Sequence, residues 1–536
     1  MRSLPIVAVL LVTASSVTAQ PHSENHGVPV LTVDALTRPI ALRVGIGTAH
    51  DRASARLSPD VQPYYDQGLA LLHNYVWLDA ARSFNQVLRL APQTPLAQIG
   101  LSYAYDALNL RSLARQQLDA AATGAASPHD RAHVELRQLE MQAEDAPADR
   151  SRQQAYRNAL DRTLAIFPGD GELWLLRGMA EAAAPGDRGQ GSTSASIPYF
   201  THARELAPDD VAAHHYLAHA CENSGDFPCA LDAAGRYAAR ASAVPHAHHM
   251  VGHDLRRTGH IADAIAAFER ADDLQRAYVK AEGMPAEIDW HYEHNLDLLG
   301  TSYQYVGRIR RASQLLQAGF DIPSANLVQI VNKRQWPLLL RLSGQTDDAM
   351  TAARWFIAHA NTVVQAIGHI EAAHVLMMRG HLAEAADDAN EAVALLKTRP
   401  PGGALADVPL RLLQGEFLLR QGQRHRAEPL LRSALADARR AQGPDEWAQT
   451  LFMLEWVAAV ARDVGAWDLA ETLAHQMLEH DGAYGGSHYA MALVEEHLGH
   501  HLRADAEFRE ARARWADADP DFGPRRIIDA ALTPHR

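Results

Sequence analysis

Small and bulky apolar residues recur along the chain in helical registers rather than in strict alternation. After Gly259, residues Ala264, Phe268 and Ala271 stand three and four positions apart, which places them on one face of a helix. The same order returns after Gly499 (Ala504, Phe508, Ala511), after Gly380 (Ala385, Ala389, Ala392) and after Gly422 (Ala427, Leu431, Ala434). An early copy runs Ala80, Phe84, Val87 and closes on Pro92. The turn glycines Gly225 and Gly259 are 34 residues apart, and so are Gly465 and Gly499. The pattern predicts helical hairpins, each leaving one apolar face open that stacking buries against the next.

A 34-residue helix-turn-helix with A-x3-F in its second helix is the tetratricopeptide-repeat (TPR) pattern. The expected fold is therefore an all-α TPR superhelical solenoid of roughly 11–12 hairpins. Three loops interrupt it: residues 186–196 (GDRGQGSTSAS), Gly283-Met284-Pro285, and Arg399-Pro400-Pro401-Gly402-Gly403. The last is the best internal boundary, between an N-terminal array over 55–398 with a histidine-rich centre and a C-terminal array over 404–536. Residues 20–54 lack helical periodicity and read as an irregular lead-in. Residues 1–19 read as a signal peptide: Arg2, an apolar stretch from Ile6 to Val12, then Val17-Thr18-Ala19 before Gln20. The expectation is export, to a bacterial periplasm. That stretch is too short to span a bilayer and no later run is long enough, so no integral membrane segment is expected after signal removal.

Composition narrows the partners. Hydrophobic residues make up 47% and charged residues 21%, which fits neither a disordered chain nor a membrane bundle. With 64 acids against 50 bases the net charge is −14, so a phosphate backbone is repelled and no nucleic-acid partner is expected. The two cysteines, Cys221 and Cys229, flank one predicted turn. They either bridge, in an oxidising compartment, or lie as buried thiols. Two cysteines are too few for a zinc site built of thiolates.

Histidine changes the picture most. Of 29 histidines, ten fall between His214 and His294. His215 and His249 each precede their turn glycine by ten residues, and His219 and His253 by six. Each pair is spaced i, i+4, on one helix face, and the two pairs repeat one period apart. Neighbouring helix axes pack roughly 8–10 Å apart, so four imidazoles can converge. The predicted metal ligands are His215, His219, His249 and His253, with Glu222, His246 and His294 as secondary candidates. Imidazole suits zinc, iron or copper. Glu222 stands 34 residues before Arg256, so an ion pair between them competes with a ligand role. Arg257 lies in the same predicted groove.

Other histidines read as structural. His214 and His248, with His369 and His488, occupy a bulky packing position. His260, His381 and His500 follow turn glycines and read as solvated, and His374 faces the groove without a partner. His73 joins the site only if the superhelix brings it round. No H-E-x-x-H, phosphate-loop or G-x-S-x-G motif occurs. Chemistry, if present, would use a metal-bound water with Glu222 or Asp297 as base. The alternative is a non-catalytic periplasmic scaffold holding a protein or peptide partner in its groove.

Several stretches resemble a large group of bacterial exported TPR proteins. Residues 62–73 (QPYYDQGLALLH) are similar to that group's entry repeat. His215-Tyr216-Leu217-Ala218-His219-Ala220-Cys221-Glu222 resembles its H-Y-Y-I-H-x-x-E, and His249-Met250-Val251-Gly252-His253 its H-M-P-S-H. Tyr292-Glu293-His294-Asn295-Leu296 resembles its Y-x-H-N-L. The resemblance covers roughly residues 45–310 and implies a specialised site without naming a reaction. The chain departs from it at Val251 and Gly252, where the group has Pro and Ser.

Overall fold

The computed structural model describes residues 31–49, 57–184, 186–283, 289–324, 326–441 and 443–533. The signal-peptide reading over 1–19, much of the lead-in, and Met284-Pro285 lie outside the described residues. The rest is helical. A short α1 (Val33–Thr37) precedes α2 (Gln62–His73), α3 (Trp77–Leu90), α4 (Pro95–Ala107), α5 (Arg111–Gly124), α6 (Pro128–Glu144) and α7 (Arg150–Ile166). Then come α8 (Gly171–Met179), α9 (Ile197–Leu206), α10 (Val211–Asn223), α11 (Phe227–Arg240), α12 (Pro245–Arg257), α13 (Ile261–Glu282), α14 (Trp290–Tyr305) and α15 (Ile309–Asp321). The chain continues through α16 (Leu327–Asn332), α17 (Gln335–Leu342), α18 (Thr346–Ile357), α19 (Thr362–Met378), α20 (Leu382–Leu396), α21 (Asp407–Arg420) and α22 (Arg424–Arg440). It ends with α23 (Pro444–Asp463), α24 (Trp467–His480), α25 (Gly485–His497), α26 (His501–Arg514) and α27 (Gly523–Ala531). No strand is present among the described residues beyond an isolated bridge between Thr48 and Asp210. This is the expected all-α TPR-type solenoid.

A single packing device recurs in the hairpins. A glycine on the first helix lies against a large side chain sixteen residues later on the second. A Cβ on Gly68 or Gly252 would lie 2.6 Å from the ring of Phe84 or Phe268, and on Gly415 2.4 Å from Leu431. The helices approach closely because the glycine leaves room, and the ring fills it. Phe84, Phe268 and Leu431 are fully buried, each worth about 1.5–3 kcal/mol of apolar burial. The turn positions after the first helices take left-handed φ, and glycine usually fills them, as at Gly225, Gly259 and Gly307.

The superhelix closes on itself twice. Around the first turn, α2 meets α10. The lead-in straps them: Thr48 accepts from the Val211 amide (3.0 Å), Gly45 from the Ala243 amide (2.8 Å), and Ile46 from the Asn74 side chain (2.8 Å). Around the second, the C-terminal helices return to α14 and its successors. Trp515 Nε1 donates to the Tyr305 carbonyl (2.9 Å), and Asn332 Nδ2 to Asp445 Oδ2 at the start of α23 (3.1 Å). The segment 399–403 is a turn, and buried core spans it, with Ala385 and Ala392 on one side and Ala406 and Leu413 on the other. Cys221 and Cys229 form a disulfide.

Candidate metal centre

The Asp210 side chain caps α10 by accepting from the Ala212 amide, and Pro245 opens α12. The i, i+4 spacing puts the two histidines of each helix on one face. The four predicted ligands do not meet at one point. They separate into two trios: His215, His219 and His246, and His249, His253 and His294. Within each trio, one ring nitrogen per residue lies within 4.8 Å of the others. All six side chains are buried.

The division has a simple cause. Equivalent positions on adjacent first helices are a helix diameter apart, too far for one ion. Each pair instead meets a residue almost one turn nearer the N-terminus of the next helix. His246 and His294 both stand thirteen residues before their turn glycines, Gly259 and Gly307. The trio therefore repeats as a unit, and the secondary candidates His246 and His294 stand level with the other four. That register was visible in the sequence; comparing only identical repeat positions missed it.

In the first trio, His215 Nε2 lies 2.9 Å from His246 Nε2 and 3.1 Å from His219 Nε2. In the second, His253 Nε2 lies 2.8 Å from His249 Nε2. These separations fall within a few tenths of the ~3.3 Å edge of a tetrahedron with bonds of about 2.0–2.1 Å. Tautomers are set from outside. His215 Nδ1 donates to the His73 carbonyl (2.6 Å), leaving a lone pair on its Nε2. His249 Nδ1 donates to Asn295 Oδ1 (2.9 Å), whose amide is oriented because Asn295 Nδ2 donates to the Phe268 carbonyl (3.1 Å). His253 Nδ1 meets Glu222 Oε2 (3.2 Å), and His294 Nδ1 lies 3.5 Å from Asp445 Oδ2. Imidazoles with one nitrogen anchored and the other turned inward are the arrangement metal-ligating histidines adopt.

Burial pushes all six imidazoles below the usual histidine value, His219 to about 3 and His294 to about 4. The rings are thus neutral, with lone pairs available. Burial raises Glu222 and Asp445 to about 7 each.

Several expectations are corrected. Glu222 pairs with His253 and not with Arg256, whose Nη1 donates to Leu298 O (3.3 Å) and Thr301 Oγ1 (3.1 Å). Its Oε2 bonds an imidazole of the second trio, whose convergent nitrogens all come from histidines. Asp297, the other candidate base, occupies in α14 the register of His215 and His249, so the histidine series stops there. It is half-buried, and its carboxyl is pushed up by burial and by Asp445, with Arg256 and Arg334 opposing. His248 is half-buried rather than core, bonded to the Ser242 carbonyl (3.0 Å), whereas His214 is buried against the Pro208 carbonyl (2.9 Å). His374 does have a partner, Glu416 Oε2 (2.7 Å). His73 is brought round, but it serves the site through its carbonyl. Its ring bonds Tyr216 and Glu172, 2.9 Å each.

Tyr75 went unnoticed in the sequence. It occupies the left-handed turn position that glycine fills elsewhere, with φ 61°. A bulky residue there costs on the order of 1–3 kcal/mol. Its ring packs on the first trio, 4.6 Å from the His215 ring and 4.8 Å from that of His246. Asp445, 151 residues beyond His294, was equally unforeseen, because only the second closure carries it there. A further cluster lies apart: His129 and His133 of α6 both contact Asp170 Oδ2 (2.8 and 3.0 Å), while Asp170 Oδ1 caps α8.

No protein-family profile matches the chain, and no curated protein resembles it in sequence. Among solved structures it is similar to a monomeric IFIT1 mutant with Gppp-AAAA, at 12% identity and TM-score 0.39, over 78% of this chain and 90% of that one. It is similar to the Cut9–Hcn1 hetero-tetramer of the APC/C, at 14% identity and TM-score 0.31, over 88% and 96%. It is also similar to yeast Tom70, at 12% identity and TM-score 0.31, over 88% and 95%. The likeness is one of fold alone; the repeated helical hairpins described above make the chain a TPR-type helical solenoid.

Proposed function

We infer that this protein binds transition-metal ions in two neighbouring three-imidazole sites built into its central repeats. One observation carries the reading. In each trio the inward nitrogens converge while the outward nitrogens of His215, His249 and His253 are held by fixed partners. A groove that merely displayed histidines to a peptide would leave them exposed, and these are at most 7% exposed. Six buried, neutral imidazoles crowded together have no packing advantage over apolar residues, so a ligand for their lone pairs accounts for them. The export signal over residues 1–19, the periplasmic location and the kinship with exported bacterial repeat proteins belong to the same proposal. The disulfide between Cys221 and Cys229 supports an oxidising compartment. The scaffold reading, with a protein or peptide partner in the groove, rests on the repeat fold alone.

The test is elemental analysis of full-length protein purified without chelators. We expect transition metal in near-integral amounts, falling by one ion per molecule on His219→Ala and by another on His253→Ala. Metal-free protein that takes up no zinc, cobalt or copper on dialysis overturns the reading.

A further inference from the structure

The two trios share a donor set but not an electrostatic setting. In the first, none of the three rings contacts a carboxylate. His215 Nδ1 bonds a neutral carbonyl, and His246 Nδ1 is buried with no hydrogen-bond partner. Aromatic rings close the space around it. Tyr237 stacks on His215 at 4.8 Å between centroids, and Tyr75 covers His215 and His246. Two acids stand near this side without touching the trio: Asp289, 3.3 Å from His291, a ring that packs against His246, and Glu222, whose charge acts on His219 from one turn further along α10. The second trio is different. His253 carries Glu222 at 3.2 Å, and His294 has Asp445 at 3.5 Å. Glu222 Oε1 is buried with no hydrogen-bond partner, so this carboxylate keeps unspent acceptor capacity beside the site.

Ion charge decides between such settings. The cost of burying an ion grows with the square of its charge, so a divalent ion costs about four times as much as a monovalent one of the same size. Neutral imidazoles repay part of that cost in either case. A carboxylate one bond away from the ligand ring repays much more for a divalent ion, and it raises the basicity of that ring. Among first-row ions that accept imidazole, copper alone has a common monovalent form, and it takes low coordination numbers without a bound anion.

Resting on the metal-binding reading above, we propose that the two sites are inequivalent. The His215/His219/His246 site takes monovalent copper, and the His249/His253/His294 site takes a divalent ion such as zinc. The chain is then a mixed-metal protein, with the two ions in successive repeats.

The experiment uses the full chain stripped of metal, with two probes. Cu(I) is added anaerobically against a chromophoric chelator, and Co(II) is followed by its ligand-field absorption. The variants are His215→Gln with His246→Gln, and His249→Gln with His253→Gln. We expect the first pair to lose one equivalent of tight Cu(I) and to keep the Co(II) spectrum. The second pair should lose one equivalent of Co(II) and keep Cu(I). Each variant thereby proves its own folding through the probe it retains. Glu222→Gln, which removes the carboxylate bonded to His253, should weaken Co(II) about 10–100-fold and Cu(I) by clearly less, since its charge reaches His219 without contact. Binding at the separate α6–α8 cluster would be constant across all three and cancels in the differences. Loss of Cu(I) from the second pair, or loss of one equivalent of Co(II) from the first pair, overturns the assignment while leaving metal binding intact. A parent that binds neither probe overturns the metal reading itself.

Discussion

His215 Nδ1 donates to the main-chain carbonyl of His73 at 2.6 Å, across 142 residues of sequence. The donor is a candidate ligand in the fifth hairpin and the acceptor is the last residue of the first helix of the first hairpin. The bond fixes which nitrogen of His215 faces inward, so the orientation of the centre depends on closure of the superhelix and not on α10 alone.

Asn295 plays the corresponding part for His249, and it can be mutated. Asn295→Ala removes the acceptor of the His249 Nδ1 proton and frees the ring to swivel. Metal affinity at the second trio should fall about 10–100-fold, with the first trio unchanged. Competition titration against a chelator of known strength reads both.

The depressed imidazole values set the acid range of binding. A folded value below 6.5 means the ring carries no proton at neutral pH that a metal must displace. At the first trio, with His219 near 3, affinity should be nearly flat from pH 7 to pH 5 and decline only at lower pH. At the second, protonation of Glu222 and Asp445, which burial raises to about 7, should weaken binding over that same range, before His294 titrates near 4. Unperturbed histidines would instead lose up to about tenfold per ring and per pH unit below 6.5. Equilibrium dialysis over this range distinguishes the two.

Glu416 gives a stability linkage away from the site. Its burial opposes ionisation, but the bonds from His374 and Arg420 prevail and hold the carboxyl near 2 against an ordinary 4.5. It accepts from His374 Nδ1 (2.7 Å), Trp456 Nε1 (2.9 Å) and Arg420 Nε (2.8 Å). A depressed folded value contributes stability that is complete above 4.5 and is lost as pH falls through about 2. The contribution is on the order of 3 kcal/mol at pH 7 and about half that at pH 3. Glu416→Gln should therefore shift the urea midpoint strongly at pH 7 and less at pH 3.

Gly252 faces the Phe268 ring within its own hairpin. A Cβ there would lie 2.6 Å from Phe268. Gly252→Ser should cost about 1–3 kcal/mol by overpacking. Adding Phe268→Leu should cost less than the two separate effects summed, a coupling that a thermal-melt double-mutant cycle would show.

The repeat was legible because every hairpin must solve the same packing problem with the same residues, as Gly252 with Phe268 and Gly415 with Leu431 show. The histidines were half legible. Their i, i+4 pairing is local and could be read, but the partner of each pair lies on the next helix at an offset that depends on how two helices are staggered. Tyr75, Asp445 and the His73 carbonyl were not legible, since the two closures of the superhelix bring them in from distant sequence. The left-handed turn position was a usable clue to Tyr75, because glycine is the ordinary occupant there.

Each trio draws two rings from one hairpin and the third from its successor, α10 with α12 and α12 with α14. A linear repeat array melts where coupling between adjacent units is weakest. A ligand held across both seams would weld three consecutive units into one cooperative block, stabilised in proportion to the logarithm of ligand concentration. Hydrogen exchange in α10, α12 and α14 would then slow together, while the outer hairpins kept their own opening rates.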